Sequence, residues 1–211
     1  MIATILVSSN LFAVVSLQQL SEIFSKIDLD SSFASECKNL ADEINTAIVN
    51  YGIVEYNNQK LFSYEVDGFG SQYFADDANV PSLLSLPYIG AIKLNDPVYI
   101  NTRKRLLSEK TNPYYAKGKV AEGISSPHCF KDNIWPMSII LRAMTSVDDA
   151  EITYCIKTLL QTHAGTGFMH ESFHKNDANK FTRKWFAWAN TLFGELILKI
   201  SVEKPHLLKL I

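Results

Sequence analysis

The chain has 211 residues, 47% of them hydrophobic and 20% charged, with a net charge of −2. That balance predicts one globular domain with a substantial core and excludes a disordered chain. Lys and Arg cluster only at Arg103-Lys104-Arg105, which argues against nucleic acid as a partner. Cys37, Cys129 and Cys155 are too scattered for a disulfide framework or a zinc ribbon and read as small buried hydrophobes.

The N-terminal residues Met1-Ile-Ala-Thr-Ile-Leu-Val7 are apolar, as is Leu11 to Leu17, and the first basic residue is Lys26. A secretory leader carries its positive charge ahead of the apolar run, and no stretch reaches the about 18 apolar residues of a membrane span. The expectation is a core helix beginning near Asn10 with Ser8 or Ser9 as N-cap, as in a chain that starts in the middle of a fold. Phe33, Cys37, Leu40, Ala41, Ile44, Ile48 and Tyr51 recur at spacings of three and four before Gly52, predicting an amphipathic helix over Ser31–Tyr51. Apolar residues set around Asn57-Asn58 predict a short hairpin within 53–66. Further helices are predicted over Asp96–Ser108, Ile134–Thr145, Asp148–His163 and Phe181–Val202. The last is apolar around much of its circumference, as a buried helix is.

Helices joined by long loops rich in glycine and aromatic residues predict an all-α toroid or bundle whose loops gather a site. Those loops hold Asp67-Gly-Phe-Gly70, Asp76-Asp-Ala-Asn-Val-Pro81, Gly123-Ile-Ser-Ser-Pro-His128, Ile134-Trp-Pro136 and Trp185-Phe-Ala-Trp-Ala-Asn190. Carboxylates, amides, histidine and tryptophan at loop–helix junctions suit a sugar, whose hydroxyls need polar partners and whose ring faces need an aromatic platform. Each has a plainer reading. Asp76, Asp77 and Asn79 read equally as caps of a helix starting near Pro81, His128 as a loop histidine, and Trp135, Trp185 and Trp188 as core.

The segment Gly165-Thr-Gly-Phe-Met-His-Glu-Ser-Phe-His174 supports two incompatible chemistries. As H-E-x-x-H on a helix, His170 and His174 would ligate zinc, Glu195 would be the third ligand, and Glu171 the base of a metallopeptidase. As a loop, it presents Glu171 as a carboxylate able to activate water without a metal. The flanking Gly165, Gly167, Asn176, Asp177 and Asn179 punctuate helices rather than extend them, which favours the loop.

Several long stretches in order carry a resemblance. Asp76-Asp-Ala-Asn-Val-Pro-Ser-Leu-Leu-Ser-Leu-Pro-Tyr-Ile-Gly90, Asp96-Pro-Val-Tyr-Ile-Asn-Thr-Arg103, Gly123 to His128 and Ile134-Trp-Pro-Met137 are similar to glycoside hydrolase family 125. So are Gly165 to Phe173 and Phe181-Thr-Arg-Lys-Trp-Phe-Ala-Trp-Ala-Asn-Thr-Leu-Phe-Gly-Glu195. The resemblance implies an (α/α)6 barrel and a metal-independent, inverting exo-α-1,6-mannosidase without cofactor, acting on an α-mannoside glycan. It implies Glu171 as general base, with Asp76, Asp77, Asn79, His128 and His170 toward sugar hydroxyls and Trp135 and Trp188 as platforms or packing.

There is also a departure. The family's general acid is an aspartate in an Arg-Pro-Ser-Asp-Asp-like segment upstream of the helix resembling Ser8 to Leu20; here Met1-Ile-Ala-Thr-Ile-Leu-Val7 takes its place, and no Asp or Glu precedes Glu22. The resemblance covers only the C-terminal half of the family's domain. The expectation is therefore a single domain over 1–211, about half of the barrel, weak or inactive alone. Its exposed helix faces would be covered by a separate N-terminal half or another copy. A half-barrel that only binds glycans or a partner is the non-catalytic alternative.

Overall fold

The computed structural model describes residues 5–27, 29–130 and 132–210. The chain packs as two compact units, Met1–Ala75 with Pro81–Arg105, and Asp76–Val80 with Leu106–Ile211. Every candidate site residue falls in the second.

In the first unit, strand β1 (Ile5–Leu6) runs directly into α1 (Val7–Lys26). Neither Ser8 nor Ser9 caps this helix. Its cap is Leu6, extended and without a side-chain bond, because β1 pairs with β4 (Glu65–Val66) and Val7 N donates to Tyr64 O at 3.0 Å. Pairing supplies a partner that a serine would supply at an isolated helix end. Helix α2 (Ser31–Ala47) is capped by Asp30, whose carboxylate accepts from Phe33 N at 3.0 Å. Its buried positions Ala34, Cys37 and Ala41 are small, which lets the α1 stripe of Leu11, Val14 and Val15 approach closely. The predicted continuation to Tyr51 becomes a π-turn over Ile48–Gly52.

The predicted hairpin is present as β2 (Ile53–Tyr56) and β3 (Gln59–Phe62). Asn57 and Asn58, at φ 50° and 60°, form the left-handed pair that a two-residue hairpin turn requires. Strand β5 (Gln72–Tyr73) completes the sheet β1-β4-β5. No helix starts at Pro81; Ser82 and Ser85 instead exchange bonds, Ser82 N to Ser85 Oγ at 2.7 Å and Ser85 N to Ser82 Oγ at 3.2 Å. Helix α3 (Pro97–Leu106) begins behind Asp96, whose Oδ1 accepts from Val98 N and Tyr99 N.

The second unit holds the hairpin β6 (Tyr115–Lys117) and β7 (Glu122–Ile124) and an antiparallel sheet in the order β10-β9-β8. These strands are β8 (Asn133–Ile134), β9 (Ser172–His174) and β10 (Asp177–Thr182). Helix α4 (Pro136–Met144), with Pro136 in its first turn, is buried at every position but Arg142 and packs on α5 (Asp149–Gln161) and α6 (Ala187–Glu203). Gly123 permits the close passage of β7: a Cβ there would lie 2.7 Å from Ile134 Cγ2.

The long helices are thus where the periodicity predicts them, but the all-α expectation is corrected. Ten strands of two to six residues occur among the described residues. Ile134 belongs to β8, and Phe181 and Thr182 to β10, so α6 starts at Ala187 rather than Phe181. Such short strands show no alternation of their own; they exist because a partner strand satisfies their main-chain groups.

Candidate active site

Glu171 directly precedes β9, and its neighbours on both sides are pinned. Met169 N donates to Asn190 Oδ1 at 3.0 Å, while Asn190 Nδ2 donates to Met169 O and Phe186 O, both at 2.8 Å. Ser172 N donates to Thr182 Oγ1 at 3.1 Å, and the two hydroxyls lie 2.7 Å apart. Asn133 Nδ2 reaches Ser172 Oγ at 3.1 Å. The turn leading in is tight, with Ala164, Gly165 and Gly167 all at positive φ. Between these anchors the Glu171 side chain remains 20% exposed, and its Oε2 lies 3.1 Å from Arg183 Nε.

His170 is buried at 1% exposure. Its Nδ1 faces Arg183 O at 3.1 Å and Lys184 O at 3.0 Å, its Nε2 faces His163 O at 3.2 Å, and the ring stacks on Phe181 at 3.8 Å. Carbonyl oxygens therefore occupy both ring nitrogens, and His170 acts on the loop rather than on a sugar hydroxyl. The same geometry overturns the zinc alternative. Residues 172–174 are a strand, so His170 and His174 do not share a helix face, and His174 Nδ1 accepts from Asn176 N at 3.2 Å. No group of three or more His, Cys, Asp or Glu side chains among the described residues is placed to hold a metal ion.

Asp77 and Asn79 close on each other. Asp77 Oδ1 accepts from Asn79 N at 3.0 Å, and both its oxygens lie within 3.0 Å of Asn79 Nδ2. This turn takes the place of the helix cap expected before Pro81. Asp76 is fully buried, its main chain paired with the Asn112 side chain at 3.2 and 3.3 Å. Ala78 N donates to Ser125 O at 3.1 Å, which joins this turn to the loop bearing His128, whose side chain is exposed. From there Cys129 leads to Trp135: the indole Nε1 donates to Cys129 Sγ at 3.0 Å, so this cysteine is a hydrogen-bond partner rather than the buried hydrophobe expected. Cys37 and Cys155 are buried as expected.

Trp135 is buried and meets Phe186 edge-on at 6.0 Å; Phe186 contacts the exposed Trp188 at 6.4 Å and lies under the Arg183 guanidinium. A continuous run of contacts within one unit thus links Asp77 and Asn79 to Glu171. Arg183, Asn190, Thr182 and Ser172 are the members that sequence reasoning missed, although Asn190 closes a motif singled out there. An open groove of this unit, about 400 Å³, is lined instead by Phe130, Asp132, Asn133, His174, Lys180, Phe181 and Thr182. The chemistry-bearing run therefore takes precedence over the concavity in defining the site.

The site so defined is a partly exposed carboxylate on a pinned loop, with amides and an exposed indole in the same unit of a helix-rich scaffold. The chain belongs to the family of metal-independent alpha-mannosidases, glycoside hydrolase family 125, whose model matches residues 1–198. It is 54% identical over 170 residues to the Meiotically up-regulated gene 157 protein of Schizosaccharomyces pombe, covering 80% of this chain and 33% of that protein. It also matches a structure from a study of metal-independent alpha mannosidases, a Streptococcus pneumoniae non-productive substrate complex with alpha-1,6-mannobiose. The identity is 43% and the TM-score 0.89, over 92% of this chain and 46% of that one. A bacterial glucoamylase complexed with acarbose shares the fold alone, at 17% identity and TM-score 0.68 over 92% of this chain and 33% of that one. The chain spans between a third and a half of the length of these relatives.

Proposed function

We propose that this chain carries the water-activating side of an inverting exo-α-1,6-mannosidase site, with Glu171 as general base. The observation behind this reading is the presentation of Glu171: a partly exposed carboxylate on a loop whose residues on both sides are tied down. A general base needs a fixed attitude toward the water it deprotonates. The likeness to the pneumococcal mannosidase supports α-1,6-mannoside as the substrate class. Asp77, Asn79 and the exposed His128 serve the sugar hydroxyls, Trp188 offers a ring face, and Trp135 and Asp76 support these from beneath.

Inversion requires a second carboxyl group, about 6.5–9.5 Å from the base, to protonate the departing oxygen. We assign that acid to no residue of this chain, which spans between a third and a half of its relatives' length. The rest of an (α/α)6 domain, or another copy, is our candidate for its source and for covering the exposed Leu198 and Val202 of α6. Without it, the chain is a mannoside-binding half-site with negligible turnover of a natural disaccharide.

The test compares 1,6-linked mannobiose with α-mannosyl fluoride, whose leaving group needs no proton. The expected result is turnover of the fluoride alone, abolished by Glu171→Gln, with mannose but not glucose competing. Efficient cleavage of mannobiose would mean that the acid lies within the chain. Absent turnover of the fluoride, or dependence of turnover on metal, would overturn the reading.

A further inference from the structure

We propose that Arg183 is the positioning residue of the water-activating carboxylate, its guanidinium paired with Glu171 and fixing the attitude of that carboxylate toward the attacking water. The inference rests on Glu171 being the general base. It begins with register. Thr182 lies opposite Ser172 in the antiparallel β9–β10 ladder, so the next step outward sets Arg183 across from Glu171. The ladder ends there, and Arg183 takes φ +50°, a left-handed conformation that a long side chain disfavours. His170 keeps it there, with Nδ1 3.1 Å from Arg183 O and 3.0 Å from Lys184 O. The buried histidine thereby fixes the backbone on both sides of the ion pair, being itself the residue before Glu171.

Arg183 Nε lies 3.1 Å from Glu171 Oε2, and the guanidinium rests over the Phe186 ring at 5.7 Å from its centroid. With 20% of its side chain exposed, Glu171 stays reachable by water. The arginine side chain is 64% exposed, and an exposed ion pair adds little to stability. A disfavoured backbone held for a contact worth little to the fold points to function. In the reaction the water oxygen bonds to the anomeric carbon as its proton passes to the Glu171 carboxylate. The bond to the leaving group breaks, and its electron pair departs with that group; Arg183 stays protonated throughout.

Arg183→Gly is the informative variant, because glycine suits the left-handed backbone and removes only the side chain. With α-mannosyl fluoride as substrate, kcat is expected to fall about 10- to 100-fold, as a misplaced catalytic group does, with KM little changed and the melting temperature kept or raised. Millimolar guanidinium chloride should restore part of the rate, and Arg183→Lys should fall between. Unchanged kcat in Arg183→Gly, or a fall in kcat and melting temperature together without guanidinium rescue, would overturn the inference. Glu171→Gln in the same assay separates the two claims. If it is inactive while Arg183→Gly is unaffected, only the role of Arg183 fails. If it keeps full activity, the base assignment fails and this inference with it.

Discussion

The side-chain amide of Asn190 pairs with both main-chain groups of Met169, accepting from N at 3.0 Å and donating to O at 2.8 Å. It joins the first turn of α6 to the loop two residues ahead of Glu171, so the helix sets the position of the candidate base. Asn190→Ala leaves both groups of Met169 without this partner and is expected to destabilise the protein by about 1–3 kcal/mol. Turnover of α-mannosyl fluoride should fall with it. Asn190→Asp keeps the acceptor and loses the donor, and should lie between the two. Thermal melting alongside the fluoride assay checks the order; a full-rate Asn190→Ala would detach α6 from the site.

The stereochemistry of Glu171 is open to chemical rescue. In Glu171→Ala a small anion can enter where the carboxylate stood. With azide and α-mannosyl fluoride, the carbon–nitrogen bond forms opposite the departing fluoride, giving β-mannosyl azide from an inverting site. NMR of the product tests this: the β-azide places Glu171 on the face opposite the leaving group, and the α-azide, or no rescue, would count against Glu171 as an inverting base.

Away from the site, Arg142 joins two carboxylates, with Nε 2.7 Å from Glu151 Oε1 and Nη1 3.1 Å from Glu122 Oε1, all three side chains largely buried. Burial pushes the Glu122 carboxyl up, but hydrogen bonds from Lys117 and Arg142 outweigh it and hold it below its ordinary value of 4.5. A carboxyl depressed in the folded state contributes stability above its unfolded pKa and loses it as pH falls through the folded one. Melting temperature should therefore decline below about pH 4.5. Arg142→Ala should cost about 3 kcal/mol at neutral pH, where it takes the guanidinium from between two largely buried carboxylates, and less in acid, where they are neutralised. A penalty independent of pH would show that Arg142 acts by packing alone.

Gly123 tests the packing between β7 and α4. An added Cβ would lie 2.7 Å from Ile134 Cγ2 and 3.1 Å from Ser138 Oγ. Gly123→Ala should destabilise by about 1–3 kcal/mol through overpacking. Gly194→Ala, with nothing within 4 Å of the added atom, should be neutral or slightly stabilising because alanine favours helix. Denaturant unfolding of the pair measures the contrast.

Local chemistry made much of this protein legible in its sequence. The 3.6-residue repeat of α2, Asp148 at the start of α5 and the Asn57-Asn58 turn each act within a few residues, through spacing, capping and left-handed propensity. Glu171 stood out for the same reason, lying between a glycine turn and a polar loop. What the sequence could not disclose lies across long separations. Ser172 meets Thr182 and Asn133, Met169 meets Asn190, and both carboxylates of the Arg142 cluster come from other elements. Strands of two or three residues have no periodicity to read, and the helix assigned from Phe181 fails because β9 offers Phe181 and Thr182 a partner. The sequence by itself determined where the long helices lie and singled out Glu171 as a candidate, since both follow from neighbours along the chain. Only the tertiary structure decided that His170 is bound by backbone carbonyls rather than open to sugar or zinc, and that Arg183 stands across from Glu171. Both depend on the register of one antiparallel ladder, which is settled by main-chain hydrogen bonding between segments distant in sequence.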